Sequence, residues 1–409
     1  MPNTIAPETA GFARPSEPEK SLTPLWVVIG LAMGPAVALG LARFAYALLL
    51  PPMRAALGWS YAAAGALNTS NAVGYLAGAL AATAMVRRFG DKRVFALGLL
   101  LTALTVGACG ITSSYGGQLV LRFIAGFTGA AAFVAGAGLT SAAAHGGGSS
   151  RAPMLFGVYF AGGGLGVTAS ALAAPPLIQL AGWRGGWLAL GGLALAATVF
   201  GCSVLSRAPA TVTSVGSEMR GGWSARFLAP KLIAYGLFGA GYIAYATFII
   251  AYLKTVEQLS GSNLSAFWAA LGLSSIVAAF AWGPVLGRLK GGWGTAATIF
   301  TVTVGAAMPM VWGGVAGAFL SAILFGGSFL AVVASVTSFA RRAARPHAWT
   351  SVIAALTVAF GIGQSIGPVL SGAMSDGAGG IKAGLWLSVF TLAVACAIAA
   401  MQAEPKALP

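Results

Sequence analysis

One feature restricts this chain more than any other: runs of about 20 largely apolar residues, the length that crosses a hydrocarbon layer, recur with only short polar breaks. They lie near residues 25–50, 61–85, 94–112, 116–143, 153–176, 187–205, 230–254, 264–286, 294–312, 314–340, 348–373 and 383–401. Twelve runs predict an all-α membrane protein with twelve transmembrane helices. Helices satisfy their own backbone groups in lipid over such lengths, whereas barrel strands would alternate over about ten residues.

Composition agrees with this. Charged residues make up 8% and hydrophobic ones 58%, with a mean hydropathy of +0.85, against about 25% charged in soluble domains. The 59 glycines would weaken helices in water but let helix backbones approach closely in a bilayer. A net charge of +15 raises the question of nucleic acid. The basic residues fall in short clusters between apolar runs, with no basic helix or zinc-finger pattern, so the bilayer and not nucleic acid is the expected partner.

The basic clusters instead set orientation. Placing Arg14, Lys20, Arg87, Arg88, Lys92, Arg93, Arg151, Arg207, Arg220, Arg226, Lys231, Arg288, Lys290, Arg341, Arg342, Arg345 and Lys406 in the cytoplasm leaves only Arg54, Arg184, Lys254 and Lys382 outside. Both termini are then cytoplasmic. The implied organisation is a disordered tail (1–24), an N-terminal six-helix bundle (25–205), a linker (206–229), a C-terminal six-helix bundle (230–402) and a short tail (403–409). The two bundles match at a shift near 200 residues: Arg88 with Arg288, Gly126 with Gly326, and Gly162, Gly166 and Ser170 with Gly363, Gly367 and Ser371.

Polar side chains are costly in lipid and should gather on helices that face a wet path. The third, sixth, ninth and twelfth runs hold only small hydroxyls such as Thr102, Thr298 and Thr391 and read as outer scaffold. The first run presents Arg43 and Tyr46 on one face, and the second presents Asn68, Asn71 and Tyr75. The seventh presents Phe238, Tyr242 and Tyr245, while the eleventh holds Gln364 and the fourth Arg122. Two guanidinium groups and two amides at similar depth suit a carboxylate or phosphate, which an arginine fork grips with paired hydrogen bonds. Other roles stay open: Arg43 reaching the headgroups, Arg122 clamping helix carbonyls, the tyrosines simply packing. In the second bundle Ala244 and Ala322 occupy the positions matched to Arg43 and Arg122.

No carboxylate falls inside a run. Glu8, Glu17, Glu19, Asp91, Glu218, Glu257, Asp376 and Glu404 lie in tails, loops or span ends, and His145 and His347 lie in loops. Cys109, Cys202 and Cys396 are isolated within apolar runs. Neither a metal site, a disulfide nor a cofactor is expected, and no cluster suits a membrane enzyme.

The loop MVRRFGDKRV (Met85–Val94) resembles the cytoplasmic signature of the major facilitator superfamily. Arg88, Gly90, Lys92 and Arg93 supply its basic part, while Arg87 stands in place of its Asp and Thr83 in place of its first Gly. LRFIAGFTGAA, with Arg122, Gly126 and Gly129, is similar to that superfamily's fourth-helix motif, and GWRGGW at 182–187 to its junction of fifth and sixth helices. GLARFAYALLLPPM, NTSNAVGYLAG and GAGYIAYATF resemble the YbfB/YjiJ-like branch. The antiporter-type fifth-helix motif, Gly–Pro within a Gly-rich run, is only partial: Gly162 to Gly166 is followed by Val167, while a Gly–Pro pair appears as Gly367 and Pro368 in the eleventh run.

The resemblance covers about residues 25–402 and implies alternating access around a central path, with Arg87, Arg88, Gly90, Asp91, Arg93 and Arg288 at the cytoplasmic gate. It implies no substrate. A secondary carrier for a small solute, an organic anion by the path's arginines, is the expectation, with export of amphipathic or cationic compounds as the alternative. The carrier is expected to work as a monomer.

Overall fold

The computed structural model describes residues 23–146, 152–207, 223–344 and 348–405. Most of the tail and linker lie outside these residues, as do Arg14, Lys20, Arg151, Glu218, Arg220, Arg345, His347 and Lys406, and the side chain of His145.

Among the described residues the chain is helical, with no strand. We label its rods α1 (Pro24–Leu57), α2 (Tyr61–Phe89), α3 (Asp91–Ala108), α4 (Tyr115–Gly146), α5 (152–180), α6 (183–206), α7 (Ala225–Thr255), α8 (Gly261–Leu286), α9 (Trp293–Val311), α10 (Gly314–Ala343), α11 (Trp349–Asp376) and α12 (Gly380–Ala400). Nine helical stretches among the described residues are long and apolar enough to cross a membrane. One of these, Ala152–Ser206, contains both α5 and α6, which part where Ala181 and Gly182 leave helical dihedrals.

Helix ends follow local chemistry. Ser60, Ser224 and Ser260 cap α2, α7 and α8 by accepting the backbone N–H of Ala63, Phe227 and Asn263, which satisfies donors that have no partner inside the helix. Gly58, at φ 66°, ends α1 in the left-handed conformation that only glycine adopts freely. The α7 helix starts at Ala225, earlier than the boundary at 230 expected from hydropathy. Lys231, counted among the cytoplasmic charges, is a fully buried helical residue. Its Nζ donates to Thr295 Oγ1 (2.9 Å) and lies 4.4 Å from the Phe339 ring.

Two rods carry internal irregularities. In α1, residues Ala36–Phe44 form a π-helical segment, and Ala45 N–H bonds Gly40 O at 3.0 Å. In α10 the helix breaks at Gly327 and Ser328, and Trp282 of α8 donates its indole N–H to the Gly327 carbonyl (2.7 Å). In lipid a freed carbonyl needs such a partner.

Small residues set the packing. A methyl group added at Gly162 or Gly166 of α5 would run into the carbonyl oxygens of Ala32 or Ala36 on α1. At Gly363 or Gly367 of α11 it would strike the carbonyls of Gly236 or Ala240 on α7. Gly126 of α4 meets Asn71 O of α2 in the same way, and Gly326 of α10 meets Leu271 of α8. Counting on from the α1 and α7 contacts pairs Arg43 with Thr247. The sequence-based match to Ala244 is therefore corrected, since it assumed one shift for all helices. Ala322 keeps its match to Arg122, as Gly126 and Gly326 are 200 residues apart.

The N-terminal rods α1–α6 meet the C-terminal rods α7–α12 mainly where α2 packs on α11, α5 on α8 and α1 on α7. The rods α3, α6, α9 and α12 have their main neighbours within their own group. Their hydroxyls bond back to their own helices: Thr102 to Gly98 O, Thr298 to Gly294 O and Thr391 to Leu387 O.

Candidate functional site

Arg43 stands where the two groups of rods meet. It is 2% exposed, and its Nη2 donates across the interface to Gln364 Oε1 on α11 (2.7 Å). Gln364 in turn donates through Nε2 to the Tyr242 hydroxyl on α7. The guanidinium lies 5.3 Å from the Tyr75 ring centroid, while Arg43 Nε is buried and has no partner. No described carboxylate comes within salt-bridge distance of this cation. Burying a charge without a counter-ion is unfavourable, so the arrangement leaves a strong donor set directed at a neutral amide. The side chain does not reach for the headgroups.

Arg122 is equally buried and differently employed. Nη1 donates to the Ala42 carbonyl and Nη2 to Asn68 Oδ1 (3.4 Å). The rings of Tyr46 and Trp187 lie 5.1 and 5.4 Å from its carbon. All these partners belong to α1–α6. Tyr46 itself donates to Ala64 O (2.8 Å). Asn71 donates to the backbone carbonyl of Arg122 (3.1 Å) and leaves its own buried Oδ1 unpartnered. Asn68 alone of this set reaches across, donating to Thr247 Oγ1 (2.5 Å).

The sequence-selected residues therefore separate. Arg43, Tyr75, Tyr242 and Gln364 form one group at the interface, tied to it by the Asn68–Thr247 bond. Arg122, Tyr46 and Asn71 brace the N-terminal rods. Tyr245 points into the C-terminal rods, where its hydroxyl bonds Ser321 Oγ (2.5 Å). Of the packing residues, Pro368 offers its carbonyl to the close approach of Gly65 on α2.

Sequence reasoning missed the aromatic surroundings. Phe44 of α1 meets Tyr242 and Phe329 edge-on at 6.4 and 5.4 Å, and Phe360 stacks on Tyr242 at 5.6 Å. Phe360 lies four residues before Gln364, on the same helical face; that spacing was the available signal. Sequence reasoning placed Asp376 at a span end without a partner; there its carboxylate accepts the N–H groups of Tyr61 (2.7 Å) and Ala62 (2.9 Å) and so ties the end of α11 to the start of α2. Glu257 is held similarly, accepting from Tyr252 Oη (2.7 Å) and Gly314 N (2.6 Å). Both acids, expected at span ends, are hydrogen-bonded there.

At the other end of α2, Gly90 takes φ 82° between Phe89 and Asp91, and Asp91 Oδ1 accepts Lys92 N–H in the first turn of α3 (2.7 Å). Arg87, Arg88 and Arg93 are exposed there, and Arg288 is exposed beyond α8. A separate groove of about 490 Å³ runs between α7, α11 and α12, lined by Gly236, Gly363 and Leu387 among others. Its walls include none of Arg43, Tyr242 or Gln364.

A family model described as "Uncharacterised MFS-type transporter YbfB" matches residues 35–400. The chain belongs to this family of major facilitator transporters. No curated protein matches it significantly. Among solved structures, a mutant of the nucleoside transporter NupG superposes with a TM-score of 0.72 at 15% identity, covering 92% of this chain and 98% of that one. A bacterial homologue of the human lysosomal transporter Spinster, inward-facing and unoccupied, gives 0.68 at 14%, covering 94% and 97%. At such identities the likeness is one of fold. Family and fold make the protein a multi-pass membrane transporter.

Proposed function

We propose that this transporter carries a small organic anion across the bacterial inner membrane by alternating access. Twelve crossings in two bundles of six, residues 25–205 and 230–402, with both termini in the cytoplasm, would frame the path. The observation that carries the reading is Arg43: a buried guanidinium at the junction of the two groups of rods, with no carboxylate partner among the described residues, one Nη2 bond to the neutral amide of Gln364 and a buried Nε without a partner. A site touched by both groups is what alternating access requires, because a ligand there is passed from one face to the other as the groups rock. A carboxylate or phosphate would supply the missing charge and replace the Gln364 oxygen with a stronger acceptor. The acids among the described residues, Asp91, Glu257, Asp376 and Glu404, sit near rod ends, so the buried positive charge favours an anionic cargo over a cationic one.

Uptake of small radiolabelled carboxylates into proteoliposomes tests this. Arg43→Gln should abolish the uptake seen with the wild type, a loss of roughly 10- to 150-fold if one charged hydrogen bond of about 1.5–3 kcal/mol is removed, with insertion and melting temperature little changed. Unchanged uptake by that variant rejects the site.

A further inference from the structure

The rings around Arg43 have an order that a merely greasy lining would not need. On the C-terminal side, Tyr235 and Phe360 stack at 4.5 Å with planes 12° apart. Phe238 and Tyr242 stack at 4.8 Å and 14°, and Tyr242 and Phe360 lie 10° from parallel. Three of the four are buried, at 6%, 0% and 4% exposed for Tyr235, Phe238 and Tyr242. The fourth, Phe360, is half-buried, so one ring of the stack is partly open.

On the N-terminal side the half-buried Tyr75 lies beneath the guanidinium. Leu76 and Gly361 bring these two helices together, since a methyl group added at Gly361 would stand 2.8 Å from Leu76 Cδ1. Tyr75 and Phe360 each neighbour that contact in the chain. A cation with an unspent donor, held above one half-buried ring and linked through Gln364 to the stacked Tyr242, thus stands at the junction.

We infer that the ligand is a planar aromatic carboxylate, its acid group on Arg43 in place of the Gln364 oxygen and its ring against Phe360 and Tyr75. The inference rests on the anion reading above and adds a ring to it. The charge is read by the guanidinium fork. Flatness and π-character are read by the stack, because aromatic pairs gain from offset stacking beyond the area they bury. A saturated ring of equal charge fills similar space without that gain.

The test is calorimetric titration of the full chain in nanodiscs with benzoate, cyclohexanecarboxylate and butyrate, subtracting empty nanodiscs. Benzoate should bind roughly two- to twelvefold more tightly than cyclohexanecarboxylate. Phe360→Leu should bring that ratio close to one, and Arg43→Gln should remove binding of all three acids. Arg43→Lys, which keeps the charge but loses the planar fork, should weaken all three together and guards against misfolding of the neutral variant. Equal affinity of the two ring acids, or a ratio that survives Phe360→Leu, overturns the aromatic inference and leaves the anion reading standing. Binding that persists in Arg43→Gln, or no binding by the wild type, overturns both.

Discussion

In the N-terminal rods, α5 lies against α1 through Gly162 and Gly166, which face the carbonyls of Ala32 and Ala36; in the C-terminal rods, α11 lies against α7 through Gly363 and Gly367, facing Gly236 and Ala240. Gly126 and Gly326 extend the same rule to α2–α4 and α8–α10. The side chains beside these contacts then diverge. Arg122 and Asn71 occupy positions on one side where Ala322 and Leu271 occupy them on the other, and Asn68 stands where the C-terminal rods hold Trp268. Close backbone approach sets the frame in both groups, while the buried arginines, Arg43 and Arg122, belong to one. On the proposed reading, the guanidinium of the N-terminal rods would hold the ligand's charge, and Phe360 of the C-terminal rods would release its ring as the two groups rock apart.

The largest expected break in this comparison is Arg122→Ala. It removes donors to Ala42 and Asn68 and the cation between Tyr46 and Trp187, and leaves a buried void. A loss of about 2–5 kcal/mol is expected, seen as a fall in melting temperature; Ala322→Val on the other side should cost less. Were Arg122→Ala as stable as the wild type but unable to bind carboxylate, Arg122 would belong with Arg43 as a ligand residue.

Gly363→Ala is expected next, at about 1–3 kcal/mol, because its methyl group meets the Gly236 carbonyl without room to repack. Gly162→Ala should match it, since it meets Ala32 O in the same way; a clear difference between the two melting temperatures would show that the groups do not share one packing rule. The smallest effect belongs to Asp376→Asn, about 1 kcal/mol, the usual worth of a helix cap. Because that cap joins α11 to α2, cross-linking of cysteines placed at the start of α2 and the end of α11 should slow in the variant. Unaltered cross-linking would show that the cap does not help hold this end shut.

Much of the frame was readable from the sequence because lipid leaves few solutions: an apolar run of sufficient length must be a helix. Hydropathy blurs where a rod faces the path. Tyr61–Phe89 carries Asn68, Thr69, Ser70 and Asn71 and ends in Arg87 and Arg88, and it falls outside the nine most apolar stretches. Arg43, Asn68 and Gln364 were legible as polar residues in apolar company. Which arginine looks outward from its own bundle was not, since Arg43 and Arg122 are alike in type, depth and burial and differ only in what tertiary packing puts beside them. Phe329 and Phe360 were hidden for the opposite reason, as apolar residues among apolar residues. Thr247 was hidden because α1 and α7 match at a different offset from the other pairs.

The π-helical stretch Ala36–Phe44 sets how α1 should respond to a change in length. Wide turns of this kind house an extra residue within an otherwise regular helix. Deleting one codon between Ala36 and Ala42 removes that residue, so the segment can relax to ordinary winding while the residues on either side keep their relative facing. The same deletion in the regular winding between Tyr46 and Leu50 would instead swing one side of the cut by about 100° relative to the other. A shortening that a straight rod would not absorb should therefore be absorbed here, with the guanidinium still aimed at α11.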